Sequence, residues 1–285
     1  MTTPFIESDK DKCGYYVYGV VQGASVPPTE MQYIEGIDPA FPVHALPYRD
    51  IQAMVSEVSL VEFSQEALRT NVRDLEWLKA KVCIHENIVE TISEHCAIVP
   101  MKFCTVFLDI DRVRETLTHY YCELSNTLRR LGGSREWGVK VYRDDEILAS
   151  KVEVVSDKAK TLATQMAGKS SGAAYIWKKR LDGVVAAEVE RISDECAQTS
   201  HDRLLDHAED ATGNSLLGKD ITGEEAEMIM NGAYLVSREH VQAFRAELDK
   251  LRRKYGRLGF TYRESGPWPP YNFVTGSLAE GSRRS

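Results

Sequence analysis

An α+β protein of two domains is what this sequence predicts, and three observations carry the prediction. Short β-prone runs alternate with long stripes of apolar residues at helical spacing. A strand, a helix and a second strand follow one another once in each half. The length of 285 residues is enough for about two domains with real cores.

The elements follow in order. Residues 1–12 are polar and charged and read as a tail. YYVYGVV at 15–21 is apolar and β-prone, the pattern of a central strand. The proline-dotted stretch 26–42 is loop. Residues 43–46 and 51–58 flank Pro47-Tyr48-Arg49-Asp50 as a hairpin. Ile51, Ala53 and Val55 alternate with Gln52 and Ser56, which predicts one buried face. Ser64 is placed as N-cap of a long helix, with Glu66 in its first turn. The stripe of that helix is Leu68, Val72, Leu75, Leu78, Val82, His85, Val89, Ile92 and Cys96. A strand over 98–107 puts Val99, Met101, Phe103, Thr105 and Phe107 on one face. Asp109 caps a second helix, striped by Val113, Leu117, Tyr120, Leu124, Leu128 and Leu131 and stopped by Gly132-Gly133. Val139 and Val141 mark the strand that closes this domain. Two amphipathic helices need a sheet face each, which is consistent with a ferredoxin-like α+β arrangement.

The second half begins with helical character at 158–166. A long helix over about 175–207 is striped by Trp177, Leu181, Val185, Val189, Ile192 and Cys196. The stripe decays through Thr199 and Arg203, which predicts an exposed or paired C-terminal end. Residues 211–225 read as linker and 228–236 as strand. Ser237 is placed as cap of a helix carrying Val241, Phe244, Leu248, Leu251 and Tyr255, ended by Gly256. A strand over 258–262 follows. The expected organisation is a tail at 1–12, a ferredoxin-like domain at 13–146, an α+β domain with the long helix at 147–275, and a tail at 276–285.

Composition limits the function. Hydrophobic content of 43% and charged content of 27% are those of a globular chain. A net charge of -8 argues against a general nucleic-acid binder. No run of about 18 apolar residues offers a membrane span. The N-terminal residues lack the apolar segment of a signal peptide. The six cysteines show no paired C-x-x-C spacing, so reduced thiols and a cytosolic location are expected.

Residues 256–274, GRLGFTYRESGPWPPYNFV, are the most informative. Pro267, Pro269 and Pro270 cannot continue a helix or sit inside a sheet. They fix a stiff, extended segment that loses little entropy on ordering. Trp268, Tyr271 and Phe273 on it are too large to stand in water without reason. Pro267, Trp268, Pro269, Pro270, Tyr271 and Phe273 are therefore the candidate site, read first as a structural clasp and second as a partner-docking surface.

This segment is one of six in a familiar order. The others are YYVYGVV, then HENIVETISEHCAIVPMKFCTVF at 85–107, GVKVY at 138–142, SGAAYIWKKR at 171–180 and NGAYLVSREHVQAF at 231–244. Together they span nearly the whole chain. On them the chain resembles the gas vesicle protein F/L family, the accessory proteins of gas vesicle assembly. Where that family usually shows a glycine, in an RFGT strand, this chain has Cys104 in KFCT. The resemblance implies a modified ferredoxin-like first domain. It also implies a non-enzymatic accessory or minor structural protein, in the cytoplasm and at the gas vesicle. Its implied partners are the hydrophobic shell protein and other accessory proteins. Among its own surfaces, the aromatic C-terminal segment and an exposed face of the long middle helix are favoured for docking.

Other chemistries fare less well. ATQMAGKS at 163–170 is a loose phosphate-loop pattern, with Ala163 in place of the first glycine. Such a loop needs an apolar strand directly before it. Here a charged helical run precedes it, and the strand-like residues 152–155 end too early. A ligand- or nucleotide-binding module on a ferredoxin-like scaffold is thus the alternative reading, and no cofactor is expected. Cys83, His85, His95 and Cys96 do not make a metal site. His85 and Cys96 would lie about 16 Å apart along a helix, and no pair has the four-residue spacing of helical ligands. His85 instead reads as a buried, hydrogen-bonded core histidine. No G-x-S-x-G elbow is present, and no catalytic residue is nominated.

Overall fold

The computed structural model describes residues 13–23, 34–166 and 171–274. The expected tails and residues 167–170 of the phosphate-loop pattern lie outside them. Two units divide the chain. One comprises residues 1–135 with 268–285, the other residues 136–267. This differs from the expected boundaries at 146 and 275, for reasons given below.

The first unit runs β1 (Cys13–Gln22), β2 (His44–Tyr48), β3 (Ile51–Ser59), α1 (Leu60–Phe63), α2 (Gln65–Asn71), α3 (Leu75–His95), β4 (Ile98–Pro100), β5 (Val106–Phe107), α4 (Ile110–His119) and α5 (Tyr121–Leu131). The strand order is β2-β3-β1-β4, with β5 also on β1, and every pairing is antiparallel. That order is the ferredoxin-like one. Between β1 and β2, residues 34–43 carry no helix. Tyr16, Tyr18, Met54 and Val58 pack with Ile88, Val89 and Ile92 of α3. The alternate set Val17, Val20, Ala53, Val55 and Val99 is buried as well, and α5 lies against β1 and β4. The sheet is therefore covered on both faces, not on one. Ser56, expected to face water, is fully buried and is satisfied by the Tyr18 hydroxyl at 2.8 Å.

Two continuous elements of the expectation are broken. The long helix starting at Ser64 is really α2, capped by Ser64 Oγ, and α3, capped by Asp74. The Asp74 carboxylate accepts from the amides of Glu76 and Trp77, which starts a new helix. Val72 and Leu75 fall at the break and are exposed. The strand at 98–107 is interrupted by a turn in which Thr105 N donates to Lys102 O. Cys104 has φ +62° there, the left-handed region that favours glycine. The second helix keeps its expected cap and stripe, with a kink at Tyr120 between α4 and α5.

The second unit runs β6 (Arg135–Arg143), α6 (Asp145–Val155), α7 (Asp157–Met166), α8 (Ser171–Leu205), β7 (Asp210–Gly213), α9 (Lys219–Thr222), β8 (Glu227–Val236), α10 (Val241–Gly256) and β9 (Phe260–Trp268). Its sheet has the order β7-β8-β6-β9. Strand β6 therefore does not close the first domain. Val139 and Val141 are fully buried, and so nearly are Trp137 and Tyr142. In this sheet β6 is an inner strand, between β8 and β9, as burial on both faces requires. The boundary accordingly moves to residue 135.

Further differences have local causes. The strand-like residues 152–155 belong to α6, which is capped by Asp144 and buries Leu148 and Val152 at i, i+4. The linker at 211–225 contains β7, paired with β8, and α9. Ser237 does not cap α10. It opens a preceding turn, and His240 is the residue before the helix. At the C-terminal end of α8, where the stripe fades, the second of the two expected alternatives holds and the helix is paired with other elements. Ser200 and Leu204 are fully enclosed, and Ser200 Oγ bonds the Tyr262 hydroxyl at 2.7 Å. The exposed end is the other one, with Tyr175 and Ile176 in water.

Candidate functional site

The C-terminal candidate segment begins at the edge of one sheet and ends in the core of the first unit. Strand β9 is an edge strand, the position in a sheet that tolerates Pro267. Pro269 and Pro270 have no amide hydrogen to continue the ladder, and the chain leaves it. A 3-10 turn at Tyr271–Phe273 follows, with Phe273 N donating to Pro270 O at 3.1 Å. Pro269, Pro270 and Phe273 are buried, Tyr271 is half-buried, and Pro267 and Trp268 are exposed. Trp268 keeps 45% of its surface in water.

Three anchors hold this segment. The Arg130 guanidinium on α5 donates to the Phe273 carbonyl. Arg135 Nε donates to the Trp268 carbonyl at 3.4 Å. The Tyr271 ring packs on the cluster of Tyr16, Tyr18 and Phe63, and its hydroxyl reaches His85 Nε2 at 3.2 Å.

His85 is the hub of a buried chain of hydrogen bonds. It sits on α3 in the apolar stripe, fully enclosed, stacked near Tyr18 and edge-on to Tyr16 and Phe103. Its Nδ1 lies 2.9 Å from the Tyr16 hydroxyl, which accepts the Cys104 amide at 2.9 Å. The Tyr16 hydrogen can go only to Nδ1, so Nε2 carries the ring proton. Tyr271 in turn is hydrogen-bonded to the Glu86 carboxylate. Burial pushes the His85 pKa down to about 4, against a hydrogen bond to the Met101 backbone. The imidazole is neutral at pH 7. Burial also raises the Tyr16, Tyr271 and Glu86 pKa values, and it pushes the Cys104 thiol up to about 12. Such groups hold shape; none is poised as a nucleophile or base near neutrality.

The second unit has its own polar centre, which sequence reasoning missed. The buried Arg143 guanidinium binds Asp145 at 2.6 Å, Glu190 at 3.0 Å, Glu227 at 2.5 Å and Ser193 Oγ at 3.0 Å. Burial lowers the Arg143 pKa, but the carboxylates outweigh it and the net direction is up. Its only sequence signal is an arginine at the end of an apolar strand, which an exposed residue would also give. Among the described residues no group of three or more His, Cys, Asp or Glu could hold a metal ion, so Cys83, His85, His95 and Cys96 are not brought together as ligands. No described helix is long and apolar enough to cross a membrane. The phosphate-loop pattern starts inside α7, with helix rather than strand before it.

Comparison with known proteins agrees with this anatomy. A family model described as gas vesicle synthesis protein GvpL/GvpF matches residues 14–275, which includes both units and the C-terminal segment. The chain belongs to this family. It is 27% identical over 234 residues to gas vesicle protein L of Streptomyces sp. (strain CB03234), covering 82% of this chain and 83% of that one. It is 28% identical over 261 residues to gas vesicle protein F of the same organism, covering 91% and 98%. The crystal structure of the gas vesicle protein GvpF from Anabaena sp. PCC7120 superposes with a TM-score of 0.68 at 19% identity, over 92% of this chain and 98% of that one. The α+β fold with antiparallel sheets is thus that of the GvpL/GvpF family.

Proposed function

We propose that this chain is a non-enzymatic accessory or minor structural protein of gas vesicle formation. It binds the hydrophobic shell protein and other accessory proteins during assembly, in the cytoplasm and at the vesicle. The observation that carries this reading is the family match over residues 14–275, nearly the whole chain. The chemistry of the described residues supports it. Tyr16, His85 and Tyr271 are tied to one another in a buried chain of hydrogen bonds, as suits a part that holds shape. Within the C-terminal segment, Pro269 to Phe273 act as the clasp of the first unit, and Trp268 is the part offered to a partner.

Two experiments test this. Deleting the gene abolishes or malforms vesicles, and the purified protein retains the shell subunit in a pull-down. Intact vesicles in the deletion strain together with no retention of the shell subunit would remove the proposal. Trp268→Ala separates docking from clasping. With 45% of the side chain already in water, stability changes by about 1 kcal/mol or less. Retention of the partner drops. A fall of several degrees in melting temperature with retention unchanged would return Trp268 to the clasp.

A further inference from the structure

The N-terminal half of α8 carries more exposed apolar and charged surface than a solvated helix requires. Ile176, Lys179, Arg180, Gly183, Ala187, Glu190 and Asp194 are all exposed. At 3.6 residues per turn, Ile176, Gly183, Ala187, Glu190 and Asp194 form one strip, flanked by Lys179 and Arg180. Tyr175 and Ile176 at its start are 71% and 56% exposed. Basic residues flank its first half, small residues hold the middle, and Glu190 and Asp194 make the second half acidic, where the exposed Arg191 is paired with Glu188 and Glu195. A Cβ placed on Gly183 would meet nothing within 4 Å. Beside the strip, a shallow groove of about 600 Å³ runs between α6 and α8, lined by Ala149, Val185 and Val189 and by Asp145, Asp182 and Glu190. Arg143 Nη1 fixes the Glu190 carboxylate at 3.0 Å.

This pattern is complementary to itself when reversed. We infer that α8 is a self-association surface, on which a second copy of this chain docks its own α8 antiparallel, centred near Val185. In that register Gly183 of one copy meets Ala187 of the other, and the small pair lets the axes approach to roughly 8 Å. Arg180 and Lys179 of each copy then reach Glu190 and Asp194 of the other, and they do so twice by symmetry. A parallel arrangement would set like charges together and is disfavoured. Charge complementarity selects this occupant over an unrelated apolar partner, because an apolar partner would strand the two basic residues and the acidic rim. The inference stands apart from the gas vesicle reading and holds or fails without it.

Sedimentation velocity on the purified chain tests it. The native protein sediments as twice its 32.1 kDa at tens of micromolar. The dimer weakens at least about tenfold between about 0.05 and about 0.5 M NaCl. Lys179→Glu/Arg180→Glu and Glu190→Lys/Asp194→Lys are each monomeric alone, and a mixture of the two restores a dimer. Gly183→Gln raises helix propensity, so it folds, and it is monomeric because the axes can no longer approach. A native chain that stays monomeric at every concentration overturns the inference. So does a dimer that survives both Gly183→Gln and Lys179→Glu/Arg180→Glu.

Discussion

Among the described residues, the buried polar side chains of the first unit are neutral hydroxyls and one imidazole, whereas the second unit encloses a guanidinium and the carboxylates of Glu136 and Glu247. Tyr16, His85 and Tyr271 satisfy one another without a net charge. Arg143 is held by three half-exposed carboxylates, and buried Glu247 is paired with Arg203 and Lys250. The units also differ in continuity. The first is completed by residues 268–274, while the second is one unbroken stretch. Two units of similar architecture thus depend on different physics. One rests on burial and neutrality, the other on matched charge.

The largest way to separate them is Phe273→Ala. Removing this buried ring takes about 3–4 kcal/mol from the first unit. Hydrogen exchange in β1 and α3 speeds up while β8 keeps its protection; equal loss in both units would break the comparison.

Acid comes next. An unfolded histidine takes a proton near pH 6.5, but His85 in the fold resists it down to about 4. Below 6.5 the unfolded state therefore binds more protons, and stability falls as pH drops from 6.5 to 4, by up to about 3 kcal/mol. Glu86, whose pKa is raised, gains stability over the acidic part of that range and offsets some of the loss. The second unit has the opposite carboxylate. Burial alone would raise the Glu247 pKa, but Lys250 and Arg203 outweigh it and hold it below 4.5, so its contribution is lost only in stronger acid. A denaturation series from pH 7 to pH 4, read by exchange in each unit, should show the first weakening earlier. His85→Gln should flatten that limb.

Arg143→Ala acts on the second unit alone. Removing one partner of a fully buried pair costs 3–5 kcal/mol, but these carboxylates can turn to water, so a loss of about 2 kcal/mol is expected. Added salt should soften the defect by screening the remaining carboxylates, whereas the Phe273→Ala defect should not respond to it.

The smallest effect sharpens the picture of the first unit. Cys104→Gly relieves a left-handed backbone that costs about 1–2 kcal/mol, and it returns part of that in unfolded-state entropy. A net gain of about 0.5 kcal/mol, measured by urea unfolding, is expected. A loss would mean that the packing of the thiol outweighs the backbone term.

Most of the architecture was legible because periodicity survives where burial is one-sided. The stripe of Val113, Leu117, Leu124, Leu128 and Leu131 is such a case, and it is buried as read. Errors arose where a local polar group overrode the pattern. Asp74 restarted a helix inside a continuous apolar stripe, and a turn at Cys104 cut a strand whose alternation was unbroken. The C-terminal segment was recognisable by its prolines and aromatics, yet its return to the first unit is a long-range fact. Tyr271 and His85 are 186 positions apart, and no local spacing joins them. Arg143 was missed for the same reason, since its partners come from α6, α8 and β8.

The late arrival of residues 268–274 has a consequence for synthesis. Residues 1–135 leave the ribosome first, but their final piece is not made until 139 further positions, up to residue 274, have been translated. At about 5–20 residues per second, the interval is roughly 7–28 s. Throughout it, the place later filled by Tyr271 and Phe273 stands open on the nascent chain, beside His85 and Arg130. Any factor that caps that opening must let go before the last aromatic residues can take its place.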